Sequence, residues 1–332
     1  MSETTLSTLV AAPLDNAADL CQYDTGVVFV GRETGKTITG WRTPTPCTPV
    51  LDDAYLLPQW ATNILIAFLQ GDPLYIFGPQ GTGKTSAVKY IASKLNIPVY
   101  EITGHSRLEF PELCGSYHVA NGNMVWHDGP LTSAMRSGGI FLLNEADLLD
   151  PSTAAGLNSI LDGSNLFIPE LNQYVQRHAE FRFVATANTN GAGDATGSYL
   201  GTLQQNAAFM SRMFMLKAEY LNPVKEAAMV SDKAGIPLPV AEKMVEYAGL
   251  VRARADEYVG ITLSPRDLLR WGRLIVAYHP LIKQGKDPIR EAMGYAFLLR
   301  VGNPAVVTAM TELYQRVFDV EAAGLASSEN NN

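Results

Sequence analysis

A chain of 332 residues, 47% hydrophobic and 17% charged, can bury one large core or two smaller ones, which excludes general disorder. Its 25 Lys and Arg against 33 Asp and Glu give a net charge of −8, so it lacks the overall basic field of a generic nucleic-acid binder. Three scattered cysteines (Cys21, Cys47, Cys114) suggest neither a disulfide framework nor a zinc site; with no basic leader and no run near the ~20 apolar residues of a membrane span, a cytoplasmic protein is expected.

Residues 1 to about 50 are rich in Thr, Pro and Gly, show little helical periodicity, and read as an arm lying over another part of the chain. Within it, Gly31-Arg-Glu-Thr-Gly35-Lys36-Thr37 imitates a phosphate-binding loop. It has one residue too few between its glycines, and the β-branched, proline-containing TITGWRTPTP behind it cannot open a helix. From 51 to 221, short apolar runs alternate with amphipathic stretches: LYIF (74–77), PVYEIT (98–103), GIFLLN (139–144), FRFVATA (181–187) and MFML (213–216). They predict an α/β fold of buried parallel strands joined by helical crossovers. After Leu221-Asn222-Pro223 the strands stop. Stretches such as SPRDLLRWGRLIVAYH predict a second, all-helical domain over 222–326, followed by a polar, disordered tail at 327–332.

The strongest single motif is Gly78-Pro79-Gln80-Gly81-Thr82-Gly83-Lys84-Thr85, which satisfies G-x-x-x-x-G-K-[ST] between an apolar strand and the amphipathic helix SAVKYIASKL that opens at Ser86. Glycines let successive backbone N–H groups converge on a polyphosphate, and the helix N-terminus adds its positive end. Lys84 is then placed to reach the β- and γ-phosphates of ATP, and the Thr85 hydroxyl to ligate Mg²⁺.

Sixty residues on, Gly139-Ile-Phe-Leu-Leu-Asn144-Glu145 delivers two polar groups at the carboxyl end of a buried strand, where open α/β sheets bind ligands. Glu145 is the candidate that polarises an attacking water. Asn144 stands where a metal-associated aspartate is usual, removing a charge but keeping an oxygen that can hold a Mg²⁺-bound water. Asp147 and Asp150 could compensate, although each reads equally well as a first-turn acid of the next helix. Asn188, ending the run FRFVATA, could hold the same water as Glu145.

Together GPQGTGKT, LLNEADLLDPSTAAGLNSILDG, FRFVATANTN and LSPRDLLRW carry a family resemblance over roughly residues 45–310: the chain resembles an AAA+ ATPase of the MoxR class, and within it the cobaltochelatase CobS-like group. That resemblance implies a P-loop NTPase with a parallel five-stranded sheet in a three-layer αβα domain, plus a C-terminal helical lid. Asn188 is similar to sensor 1, Arg212 resembles the arginine finger offered to a neighbouring subunit, and Arg266 resembles the sensor 2 arginine. Residues of about 108–131 resemble the helix-2 insert, with Asn121-Gly122 signalling a tight hairpin, and those of about 163–180 the pre-sensor 1 hairpin.

The resemblance implies a hexameric homo-oligomer that hydrolyses ATP with Mg²⁺ and works on a protein client, commonly beside a partner with a von Willebrand factor A domain, in metal insertion or protein maturation. Two other readings stay open. A nucleic-acid translocase would share the hairpins but is opposed by the acidic balance; a weakly hydrolysing assembly scaffold is motivated by Asn144.

Overall fold

The computed structural model describes residues 10–11, 17–50, 55–194, 199, 201–254 and 261–318; the expected tail at 327–332 and the outer part of the arm (1–9 and 12–16) lie outside them. The chain divides into two compact units. One spans most of the sequence up to Ala218; the other runs from Glu219 onward and takes in the short segment Pro79–Thr82.

Strands of the first unit, in chain order, are β1 (Val10–Ala11), β2 (Leu20–Asp24), β3 (Thr37–Trp41), β4 (Leu74–Phe77), β5 (Val99–Thr103) and β6 (Gly115–Ala120). They continue with β7 (Asn123–Asp128), β8 (Ile140–Asn144), β9 (Leu166–Ile168), β10 (Gln173–Val175), β11 (Arg182–Ala187) and β12 (Phe214–Lys217). Five of them form one parallel sheet in the spatial order β12-β4-β11-β8-β5. These are the five apolar runs of the sequence. Both faces of the sheet are covered. Ile140 and Leu142 of β8 pack with Val88 and Ile91 of the helix Lys84–Lys94, while Phe141 and Leu143 pack with Phe183 on the other face. Period-two geometry sends neighbours to opposite faces, and since both faces are dry the strand reads as an unbroken apolar run. Each such buried side chain contributes about 1.5–3 kcal/mol.

The arm contains regular structure that its composition hid. Strands β2 and β3 pair antiparallel around a short helix, Thr25–Val30, and Ile38 and Trp41 are buried in the cluster that holds the helix Lys84–Lys94. A five-residue strand carrying a glycine, TITGW, offers too little alternation to announce itself. The false phosphate loop has its own explanation. The Asp24 carboxylate accepts from the N–H groups of Gly26 (2.8 Å), Val27 (3.0 Å), Thr34 (3.2 Å) and Gly35 (2.7 Å), so those amides close on an anion of their own chain.

Two hairpins leave the first unit. In β6–β7 the turn residues Asn121 (φ 52°) and Gly122 (φ 79°) both adopt positive φ, as a two-residue turn that matches strand twist requires. Strands β9 and β10 form the other, with β1 added parallel to β10.

The second unit is helical: Pro223–Ala234, Leu238–Arg252, Pro265–Tyr278, Pro288–Ala296 and Pro304–Phe318 surround Tyr247, Trp271 and Phe297. Four of these helices begin on a proline, whose missing N–H would be unpaired there in any case. Glu226 and Arg252 form a buried two-point ion pair (2.8 Å for each bond), and Arg252 also donates to the Leu263 carbonyl (2.7 Å). Among the described residues no helix is long and apolar enough to cross a membrane.

Candidate active site

Strand β4 ends at Phe77 and the next helix starts at Lys84, so Gly78–Gly83 must turn the chain within six residues. Two glycines are obligatory for different reasons. At Gly78 (φ 147°) a Cβ would lie 2.2 Å from the Ala218 carbonyl oxygen, and at Gly83 (φ 85°) the backbone enters the helix from the left-handed region. Pro79, Gln80, Gly81 and Thr82 form the body of the loop, tied across by Thr82 Oγ1 donating to the Pro79 carbonyl (2.9 Å). Lys84, Thr85 and the exposed Ser86 follow on the first helical turn.

Lys84 folds back over the loop. Its Nζ donates to the Gly78 carbonyl (2.6 Å) and to Asn188 Oδ1 (3.1 Å). Burial pushes this ammonium down to about 8, against the upward pull of Glu145 and Asp147. Asn188 in turn donates from Nδ2 to Glu145 Oε2 (2.8 Å). The parallel order puts β11 between β4 and β8, so the residues that end these three strands meet. Burial raises the Glu145 carboxyl and Asp147 raises it further, while Lys84 and the bond from Asn188 oppose the rise. Glu145 also sits at φ 53°, a left-handed conformation that is uncommon for a residue with a side chain other than Asn or Asp and that its surroundings must hold in place.

Asn144 lies on the other side of this chain of contacts. Its Oδ1 accepts from Thr85 Oγ1 (2.7 Å) and from Thr186 Oγ1 (3.0 Å). Hydroxyl and amide oxygens converging at the head of the phosphate loop are the hard donors that Mg²⁺ takes, with waters completing its shell, so the residues present fit that ion.

Asp147 corrects the sequence reading. It does not belong to the helix that opens at Pro151 but lies in the short 3-10 turn Ala146–Leu148, fully buried, where its Oδ2 accepts from the backbone N–H of Asn188 and of Thr189 (2.9 Å each) and from Thr189 Oγ1 (3.1 Å). Asp147 therefore pins the end of β11 that presents Asn188. No motif signalled this, although an acid two residues beyond Glu145 in an otherwise apolar run was a signal that could have been weighed. Asp150 is the helix-end acid expected, accepting from the Ser152 N–H at 2.8 Å as the N-cap of Pro151–Gly156.

The two expected arginines lie in different units. Arg212, between the short helix Ala207–Met210 and β12, is partly exposed and holds Asp162 by two bonds (Nε to Oδ1 2.7 Å, Nη2 to Oδ2 2.9 Å). Arg266 belongs to the helical unit, exposed in the first turn of Pro265–Tyr278 behind the Ser264–Asp267 capping box. At the hairpins, Tyr117 Oη donates to the Glu170 carbonyl (3.3 Å), linking the β6–β7 hairpin to the β9–β10 one.

A five-strand parallel sheet with a G-x-x-x-x-G-K-T loop at the head of its β4 and an acid–amide pair at the ends of β8 and β11 defines a P-loop nucleoside triphosphatase. Residues 73–213 match the AAA domain family (dynein-related subfamily), and residues 226–317 match the CbbQ/NirQ/NorQ C-terminal family. The chain is 28% identical over 300 residues to the aerobic cobaltochelatase subunit CobS of Sinorhizobium sp, covering 84% of this chain and 86% of that protein. It is 26% identical over 271 residues to the gas vesicle ATPase GvpN of Ancylobacter aquaticus, covering 74% and 73%. Among solved structures, a RuvB mutant from Thermotoga maritima has a TM-score of 0.49 at 15% identity, covering 71% of this chain and 67% of that one. These matches are consistent with an AAA+ ATPase of the MoxR class.

Proposed function

We propose that this ATPase works as a ring, of six copies on the family pattern, and couples ATP hydrolysis to remodelling of a protein client. Lys84 and the loop Gly78–Gly83 hold the β- and γ-phosphates. Thr85 and Asn144 hold Mg²⁺, directly or through water; bound with ATP, the ion neutralises charge on the phosphate oxygens. Glu145, held by Asn188, orients and polarises the attacking water, and Lys84 reports through Asn188 whether a γ-phosphate is present. Arg212 serves the neighbouring subunit's nucleotide, where a guanidinium stabilises charge developing on the transferred phosphoryl group. Arg266 is assigned the sensor 2 part.

The observation that carries this reading is the continuous contact Lys84–Asn188–Glu145 within one subunit, with Arg212 bonded elsewhere, to Asp162. Hydrolysis would move the two hairpins and so act on the client. The relative named for cobaltochelatase makes metal insertion, beside a von Willebrand factor A domain partner, one version of that work.

Subunit mixing tests it. Arg212→Ala and Glu145→Gln should each bind ATP and each lose turnover by about 10³ or more. Mixed together they should regain part of it, because some interfaces then pair an intact Glu145 with an intact Arg212. Wild-type turnover by Arg212→Ala alone would reject the shared site.

A further inference from the structure

An asparagine at the end of β8 raises a difficulty that an aspartate there would not. A carboxylate presents oxygen in both directions, whereas a carboxamide presents oxygen on one side and two N–H donors on the other. Rotated the wrong way, Asn144 would aim those donors at Thr85 and at the position a cation would take. The amide is useful to a metal only if something fixes which way it faces.

We propose that Glu101 is the positioning residue that holds the Asn144 amide with its oxygen toward Thr85. Strand β5 runs beside β8 in a register that pairs Glu101 with Leu142 and Thr103 with Asn144, so Glu101 and Asn144 share a face of the sheet. On that face Asn144 Nδ2 donates to Glu101 Oε2 at 3.4 Å, while Asn144 Oδ1 accepts from Thr85 Oγ1 (2.7 Å) and Thr186 Oγ1 (3.0 Å). The two hydroxyls cannot decide the matter, since each can donate or accept and would tolerate either end of the amide. An ionised carboxylate accepts only, so it favours the NH₂ facing it and repels the carbonyl. At 3.4 Å the bond is long, and what it supplies is direction more than strength. Lys89, one turn along the helix from Thr85, ties the other carboxylate oxygen (Nζ to Oε1 2.8 Å) and keeps Glu101 in place. Glu101 thus acts on the metal position through Asn144, as the outer partners of metal ligands do.

This inference rests on the reading of Thr85 and Asn144 as the Mg²⁺-holding pair, and the experiment separates the two. Binding of a fluorescent, non-hydrolysable ATP analogue to the full chain is followed by anisotropy as Mg²⁺ is raised, for wild type, Glu101→Met, Asn144→Asp and the double variant. Glu101 is 45% exposed, so Glu101→Met removes the acceptor without opening the core. It should raise the Mg²⁺ concentration at half-saturation roughly tenfold, the low end for loss of an outer partner, with analogue affinity at saturating Mg²⁺ little changed. In the Asn144→Asp background the same substitution should have no such effect or the opposite one, because a carboxylate needs no orienting and loses a like-charged neighbour. An equal shift in both backgrounds, or none in either, overturns the role of Glu101. A wild type whose analogue binding ignores Mg²⁺ overturns the metal reading, and this inference with it.

Discussion

Asp147→Ala removes one acceptor from three donors at once. The donors are the N–H groups of Asn188 and Thr189 and the Thr189 hydroxyl, at 2.9, 2.9 and 3.1 Å from one carboxylate oxygen. Asp147 and Thr189 are both buried, so water does not replace what is lost. A hydrogen bond to a charged acceptor contributes about 1.5–3 kcal/mol net. Three at the low end, less the relief of no longer burying a carboxylate, put the loss at about 3–4 kcal/mol, in line with removing one side of a buried charged network. For a unit of roughly 200 residues that is a fall in melting temperature of about 10 °C. Scanning calorimetry reads it directly, as a shift of the α/β transition with the helical one unmoved. Asp147→Asn keeps an acceptor oxygen and should lose less; its NH₂ would take the place of Oδ1, which has no partner in the structure. A melting temperature for Asp147→Ala within about 1 °C of wild type would refute the reasoning, and with it the claim that Asp147 sets where Asn188 stands.

Other substitutions probe separate parts of the account. Trp271→Ala empties the centre of the helical unit and breaks the bond from its Nε1 to the Ile289 carbonyl (2.8 Å), so its calorimetric transition should lose about 3–5 kcal/mol while the α/β transition holds. Gly78→Ala places a carbon 2.2 Å from the Ala218 carbonyl oxygen; the strain of relieving it, about 1–3 kcal/mol, should weaken nucleotide binding by about tenfold, measured by equilibrium titration.

Much of this molecule was legible because its central strands are buried on both faces. LYIF and the IFLL of GIFLLN are apolar without interruption and FRFVATA is nearly so; Asn144 ends the second run, Asn188 follows the third, and the first leads straight into the phosphate loop. Their order in the sheet brings Lys84, Asn144, Glu145 and Asn188 together. What stayed hidden depends on three-dimensional pairing. The arm's strands are short and rich in Thr and Gly, so Trp41 did not declare itself a core residue. Asp147 had an adequate local explanation, and only its three donors reveal the other one. Glu101 sits in a strand at a position whose neighbour is set by β5–β8 register, which no spacing within the sequence encodes.

The central claim is that the loop from Gly78 to Thr85 grips a triphosphate through Lys84. Calorimetric titration of a non-hydrolysable ATP analogue with Mg²⁺ into wild type and Lys84→Ala tests it most directly. Saturable binding by the first and none by the second is the expected result; undiminished affinity in Lys84→Ala would contradict the account.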